Sequence, residues 1–324
     1  MLEPGEASSA IEASTVTGGL VFARRGRLNA AREGSNHRAA RRAARAAVAL
    51  VMAAAVLSVP GIAGAAIPFP ETPNDAWDTN GDVFAVKVVG STVYVGGNFT
   101  TVRAPGNGPI ASRGNLAAFD MVSGEVLPFA ADTNNTVRAI ESDGTTVWVG
   151  GNFSTIGSVG RNGLAALDAQ TGAVLAAFDV SNNGAVYGLG LGNGRLFAGG
   201  YFTNIEGVAQ GRVASLDRTT GVPDPGFQAA ANEAARDVVV SATGRLFVGG
   251  GFTEIGGVAQ EYLAELDPDT GSTIGPGFEH ADAPILDVDV TPDGSMVFAA
   301  VAGFQNRAQA WSTFDGSRRW HHRA

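Results

Sequence analysis

VYVGGNF at 93–99, VWVGGNF at 147–153, LFAGGYF at 196–202 and LFVGGGF at 246–252 are four copies of one phrase. Each is apolar and carries a glycine pair followed by phenylalanine: Gly96, Gly97 and Phe99; Gly150, Gly151 and Phe153; Gly199, Gly200 and Phe202; Gly249, Gly250 and Phe252. The first glycines stand 54, 49 and 50 residues apart (96 to 150, 150 to 199, 199 to 249). A fixed period of that length is the signature of a repeat architecture, so the fold is read from the unit. A second phrase follows each first one: LAAFDMVSG, LAALDAQTG, VASLDRTTG and LAELDPDTG, with Asp120, Asp168, Asp217 and Asp267. A degraded fifth copy reads VFAAVAGF at 297–304 and WSTFDG at 311–316, where Asp315 holds the aspartate place.

One unit divides into four short apolar runs. In the second they are VRAIES (137–142), TVWVGGNF (146–153), GLAALD (163–168) and AVLAAFDV (173–180), separated by Asp143-Gly144, the stretch around Gly157 to Gly163, and Thr171-Gly172. Asp-Gly and Thr-Gly pairs suit hairpin turns, since glycine adopts positive φ cheaply, and the runs have strand composition. No helical periodicity follows Ile67. The expectation is an all-β chain, a β-propeller of four-stranded blades with repeats at about 82–136, 137–185, 186–234, 235–284 and 285–324. Blades must stack because one alone leaves both sheet faces bare. In that reading the glycine pair admits the neighbouring blade, the phenylalanine fills the space between sheets, and the aspartate accepts backbone hydrogen bonds across its turn. A parallel β-helix is the competing solenoid, but its coils are shorter and lack the four-run pattern.

Segment 77–86, WDTNGDVFAV, reads as a junction between a fourth strand and the next first strand. Either a strand around Ala76 to Thr79 pairs with the last unit and closes the ring, or the natural protein continues into a sixth or seventh blade. The RRWHHRA end favours the second outcome.

The chain has 324 residues, 45% hydrophobic and 16% charged, enough apolar mass for a packed core. Cysteine is absent, which excludes disulfides, thiol nucleophiles and cysteine-ligated metals. Lys87 is the single lysine beside 21 arginines, a bias that fits a GC-rich bacterial source. Residues 1–65 contain eight arginines and four glutamates; subtracting them from 22 basic and 31 acidic residues leaves 14 and 27, a net −13 on the rest. Such a body repels nucleic acid and anionic lipid.

Residues 37–66 follow the order of a secretory signal: a basic stretch to Arg45, an apolar run from Ala46 to Val59, a Pro60-Gly61 break and Ala63-Gly64-Ala65. The run of 14 residues is short for a bilayer span. Residues 1–65 are therefore read as a leader with a helical signal peptide, cleaved after Ala65 or Ala66, leaving a secreted or surface-held monomer with no membrane span.

The two recurring phrases resemble the delta-60-type β-propeller repeats of secreted bacterial proteins, over about residues 76–316. The resemblance implies a propeller fold and an extracellular setting, and it implies no established catalytic residues.

Chemistry-bearing motifs are few. The Ala-x-Asp-x-x-Thr-Gly phrase is similar to the start of a quinoprotein tryptophan-docking motif, but Phe129, Phe178, Phe227 and Phe278 stand where that motif has tryptophan, at the wrong spacing. A structural turn explains it better. His280, His321 and His322 do not have metal-site spacing, and no nucleophile elbow, Walker loop or dinucleotide fingerprint is present. Asp287 and Asp289, two apart on the inferred innermost strand of the fifth unit, share a face toward the channel, with Asp237 at the equivalent place in the fourth. The first three units have Ala85, Ala139 and Gly188 there. These acids are ligand-binding candidates, with a weak calcium contact as a lesser reading. No cofactor is indicated. The leading functional expectation is a non-catalytic propeller that binds an extracellular glycan or protein. A propeller enzyme, quinoprotein-like or glycosidase, is the alternative, and a spacer module in a longer surface protein is a third.

Overall fold

The computed structural model describes residues 77–104, 108–129, 131–303 and 307–323, so the leader reading of residues 1–65 lies outside the described residues. Among the described residues every regular element is a strand, and every pairing is antiparallel.

The first unit contains β1 (Asp78–Thr79), β2 (Asp82–Val89), β3 (Thr92–Asn98), β4 (Thr101–Arg103), β5 (Ile110–Ser112) and β6 (Leu116–Asp120). Strands β2-β3-β6 form its sheet, and β1-β4-β5 a small separate one. The second has β7 (Val137–Ser142), β8 (Thr146–Gly151), β9 (Thr155–Ile156), β10 (Val159–Gly160) and β11 (Leu164–Asp168). The third repeats it with β12 (Val186–Gly192), β13 (Arg195–Gly200), β14 (Asn204–Ile205), β15 (Val208–Ala209) and β16 (Val213–Asp217). The fourth has β17 (Ala235–Val240), β18 (Leu246–Gly250), β19 (Glu254–Ile255), β20 (Val258–Ala259), β21 (Leu263–Leu266) and β22 (Thr273–Ile274). The fifth is β23 (Ile285–Val290), β24 (Met296–Val301), β25 (Arg307–Ser312) and β26 (Arg318–Arg323), four strands in sequence order.

Successive sheets pack on one another through their innermost strands, β2 on β7, β7 on β12, β12 on β17 and β17 on β23. Side-chain alternation sends each strand's residues to two neighbours. In β8, Val147 and Val149 join Tyr94, Leu116 and Phe129 of the first sheet, whereas Trp148 joins Val186, Leu196 and Phe202 of the third. Both faces are thus buried, which is why the strands read as almost continuous apolar runs. The aromatic tips are satisfied across the same junctions: Tyr94 donates its hydroxyl to the Ala169 carbonyl at 2.8 Å, and the Trp148 ring N–H donates to the Arg218 carbonyl at 3.0 Å.

The two glycines of each pair do different work. A Cβ on Gly96 would lie 2.4 Å from Val137 of the next sheet, on Gly150 2.8 Å from Val186, on Gly199 2.7 Å from Val238 and on Gly249 2.3 Å from Val288. A Cβ on the second glycine would instead strike the backbone of its own innermost strand, as Gly151 does the Thr136 carbonyl at 2.2 Å. Phe99, Phe153, Phe202 and Phe252 are buried between sheets.

Two features differ from the expected unit. The fourth run shrinks to a single bridge in the first three units, Phe119 to Val126, Leu167 to Val174 and Leu216 to Pro223, and to the two-residue β22 in the fourth. After that bridge the chain turns inward to bury Phe129, Phe178 and Phe227, each at most 1% exposed. The stretch read as a break after the phenylalanine is a tight hairpin, β9-β10, β14-β15 and β19-β20. Both central residues have positive φ in Gly157-Ser158, Glu206-Gly207 and Gly256-Gly257, the backbone of a type I′ turn.

A strand near Ala76 to Thr79 does not pair with the fifth sheet. β1 pairs with β4, Asp78 with Arg103 and Thr79 with Val102. Local chemistry claims it: Asn80 accepts from the Thr100 and Thr101 amides at 2.8 and 3.0 Å and donates to the Thr100 hydroxyl, and Trp77 packs on Phe119. The same asparagine clamp recurs at Asn134, Asn183 and Asn232 on Ser154, Thr203 and Thr253. Among the described residues no strand ladder joins the first sheet to the fifth.

The repeated aspartates cap their turns. Asp217 accepts from the Thr219 and Thr220 amides and the Thr220 hydroxyl at 2.7–2.9 Å, and Asp120, Asp168 and Asp267 accept from both corresponding amides. Asp315 departs, taking the Ser317 amide and hydroxyl and pairing with Arg319 at 3.1 Å. The Thr220 amide and hydroxyl hold the Asp217 carboxyl below its usual range, the Thr270 pair does so for Asp267, the Thr171 hydroxyl and amide for Asp168, and the Ser123 amide for Asp120. A depressed carboxylate stabilises the fold above its unfolded pKa of about 3.9 and loses that contribution as pH falls through the folded value. Melting temperatures should therefore fall below that pH, and Asp217→Asn with Asp267→Asn should flatten part of the fall. An unchanged acid slope in the double variant would contradict this assignment.

Candidate binding site at the channel

The five innermost strands wall one cavity of about 190 Å³. Each carries a β-bulge at the same place, between Val83 and Ala85, Val137 and Ala139, Val186 and Gly188, Ala235 and Asp237, and Ile285 and Asp287. A bulge leaves one residue out of the ladder and re-aims it. The bulged residues are Phe84, Arg138, Tyr187, Arg236 and Leu286, four residue types on a repeated backbone near the start of these strands, and Phe84 and Arg138 line the cavity.

In that tier the Arg138 guanidinium lies 5.3 Å from the Phe84 ring centroid and 5.2 Å from that of Tyr187. Its Nε–H donates to the Asn152 side-chain carbonyl, which fixes the planar group between two aromatic faces. Tyr187 in turn meets Tyr201 edge to face at 6.4 Å.

The next tier, set by register opposite Gly96, Gly150, Gly199, Gly249 and Ala300, is Ala85, Ala139, Gly188, Asp237 and Asp287. Gly188 is required for proximity: a Cβ there would sit 2.5 Å from the Asp237 Cα. Asp237 accepts the Val288 amide at 2.9 Å and so ties β17 to β23. One step further in are Lys87, Glu141, Gly190, Val239 and Asp289. Lys87 and Glu141 form an ion pair across β2 and β7. Burial pushes the Asp289 carboxyl above its usual range; the Val290 amide opposes this and the Asp237 charge adds to it.

The structure therefore brings Asp237, Asp287 and Asp289 to the wall of one cavity, with Ala85 and Ala139 on the same wall. Sequence reasoning missed Arg138 with its aromatic neighbours and the Lys87–Glu141 pair. Among the described residues no group of three or more His, Asp or Glu side chains converges in a way that could hold a metal ion.

Asp289→Asn retains an acceptor for Val290 and removes a charge buried beside Asp237. A raised carboxyl favours the fold below its unfolded pKa of about 3.9 and loses that contribution as pH rises through its folded value. The substitution is expected to raise the melting temperature by a few degrees at pH 7 and by little at pH 3. Equal shifts at both pH values would show that the charge is not the cause.

The family model described as Domain of unknown function (DUF5122) beta-propeller matches residues 191–227, from the end of β12 to the buried Phe227. That match and the repeated antiparallel sheets support a β-propeller repeat fold. No curated protein matches the chain. Similar solved structures include hydrazine synthase of Kuenenia stuttgartiensis, at 13% identity and TM-score 0.43 over 61% of this chain, and the computationally designed Ika8 protein, at 12% and 0.46 over 75%. The aligned part is 49% of the hydrazine synthase chain, about half its length, and 88% of the Ika8 chain.

Proposed function

We propose that this chain is a secreted bacterial β-propeller of delta-60-type repeats, with five blades in the present sequence, that binds a glycan or protein ligand outside the cell. The observation that carries the reading is the channel end: a uniform backbone register presents four residue types at five equivalent bulges, Phe84, Arg138, Tyr187, Arg236 and Leu286, and Phe84 and Arg138 line the cavity. Positions that serve only the fold keep their residue type from unit to unit, as the glycine pairs and turn aspartates do; positions that vary at fixed geometry suit recognition. The signal-like order of residues 37–66 supports export, and the acidic body disfavours nucleic acid as a partner.

A panel of cell-wall glycans and surface proteins presented to the mature protein tests the proposal. Binding to at least one should weaken in Arg138→Ala, whose removal unpins the Phe84–Tyr187 rim; binding that ignores the rim would refute the channel end as the site. A second reading rests on Asp289: a carboxyl that burial pushes above its usual range, on the same cavity wall as Asp237, has the kind of environment that glycosidases use for an acid. Sugar release that disappears in Asp289→Asn would favour it.

A further inference from the structure

The third sheet places two aromatics side by side on one rim. After the glycine pair the units have Asn98, Asn152, Tyr201 and Gly251, and at the bulge Tyr187 stands between Arg138 and Arg236 of the neighbouring sheets. The two tyrosines meet edge to face, and Tyr201 remains 52% exposed. Nothing in the packing requires an aromatic there, since asparagine and glycine serve elsewhere.

Cations flank the pair. Besides Arg138 on Tyr187, the Arg212 guanidinium lies 6.0 Å from the Tyr201 ring centroid. Glu233, which accepts the Tyr201 hydroxyl, is held below its usual range first by the Ala234 amide, then by that hydroxyl and by the charges of Arg212 and Arg236. Arg138, Arg212 and Arg236 thus gather about the tyrosine pair and Glu233, on a body whose remaining charge is net negative. Behind it the cavity wall is acidic, with Asp237, Asp287 and Asp289. An anionic ligand is attracted to the rim and repelled from the throat, so it lies across the mouth instead of inserting a group. An exposed Tyr201 and a half-buried Tyr187 interleaved with arginines match a polymer that offers sugar faces and carboxylates in turn.

Resting on the proposed binding role, we infer that the rim of Tyr187, Tyr201, Arg138, Arg212 and Arg236 binds a carboxylate-bearing polysaccharide, a uronate chain laid over the tyrosines with its carboxylates on the arginines. The test is a titration of the mature protein with polygalacturonate, its methyl-esterified form, dextran and polyglutamate. Polygalacturonate should bind, lose affinity with added salt, and bind more weakly once esterified. Tyr201→Ala, cheap for the fold because the ring is half exposed, should weaken binding about tenfold, a difference of about 1.4 kcal/mol; Arg236→Gln should weaken it and shallow the salt dependence. Equal binding of the ester or of dextran would overturn the acidic specificity while leaving a glycan-binding channel end intact. Polyglutamate binding without polygalacturonate would overturn the sugar class. No binding by any probe would overturn the inference, and the panel assay with Arg138→Ala would still decide the broader proposal.

Discussion

Gly249→Val is expected to cost about 3 kcal/mol or more, a large share of a typical domain's 5–15 kcal/mol stability. The added Cβ alone would lie 2.3 Å from Val288 Cγ2 and 2.5 Å from Ile285 Cγ2, two β-branched side chains held by the core between the fourth and fifth sheets. Neither can swing away without opening the junction, because χ1 of a β-branched residue has few alternatives. Gly160→Ala is the matched control: it lies in the small hairpin strand β10 with nothing within 4 Å and should change stability little. Urea denaturation reads both. Gly249→Ala combined with Val288→Ala should also be less damaging than the sum of the single changes, since one relieves the clash made by the other. Additive effects would mean the two sheets do not meet there.

Arg245→Met is expected to cost about 3 kcal/mol by abandoning a buried charge. Arg245 donates from Nε and Nη2 to the two Glu265 carboxylate oxygens, both at 2.7 Å, and its Nη1 reaches the Gly294 carbonyl and the Thr313 hydroxyl of the fifth sheet, each at 2.7 Å. The fork therefore fastens the fourth sheet to the fifth. Glu265 is only 4% exposed, so truncating the arginine leaves a carboxylate with little water to replace it. Adding Glu265→Leu should recover most of the loss, because removing both charges removes the desolvation cost as well. A double variant as unstable as Arg245→Met would assign the effect to lost packing of the arginine stem instead.

Much of the framework was legible in the sequence because it depends on local chemistry. The Asp-x-x-Thr-Gly turn needs an aspartate, a hydroxyl and a glycine with positive φ, and all three recur at fixed spacing; Gly124, Gly172, Gly221 and Gly271 have φ of 70–78°. The glycine pair was readable as a site of close approach, and the change to Ala300 in the fifth sheet follows that logic, since among the described residues no sixth sheet presses on it. The I′ hairpin was legible in principle: Thr-x-Ile-x-Gly-Val recurs at Thr203 to Val208 and Thr253 to Val258, but a two-residue strand lies below the length that apolar patterning detects. The asparagine clamp also repeats, at 80, 134, 183 and 232, hidden because asparagine in a loop carries no periodic signal of its own.

The candidate site divides the same way. Strand alternation was enough to place Asp287 and Asp289 on one face and Asp237 at the matching position. The bulges were not readable, because a bulge is defined by what the partner strand skips, and Arg138 becomes the neighbour of Phe84 and Tyr187 only when three sheets are stacked. Those residues are about fifty positions apart, with no local pattern connecting them.

A crystal structure of the protein, at a resolution that separates side chains, tests the central claim most directly. The account predicts consecutive antiparallel sheets arranged about one channel, with Gly249 seated against Ile285 and Val288 and the Arg138 guanidinium between Phe84 and Tyr187. Glycine pairs facing solvent, or units stacked as coils of a solenoid with no shared channel, would contradict it.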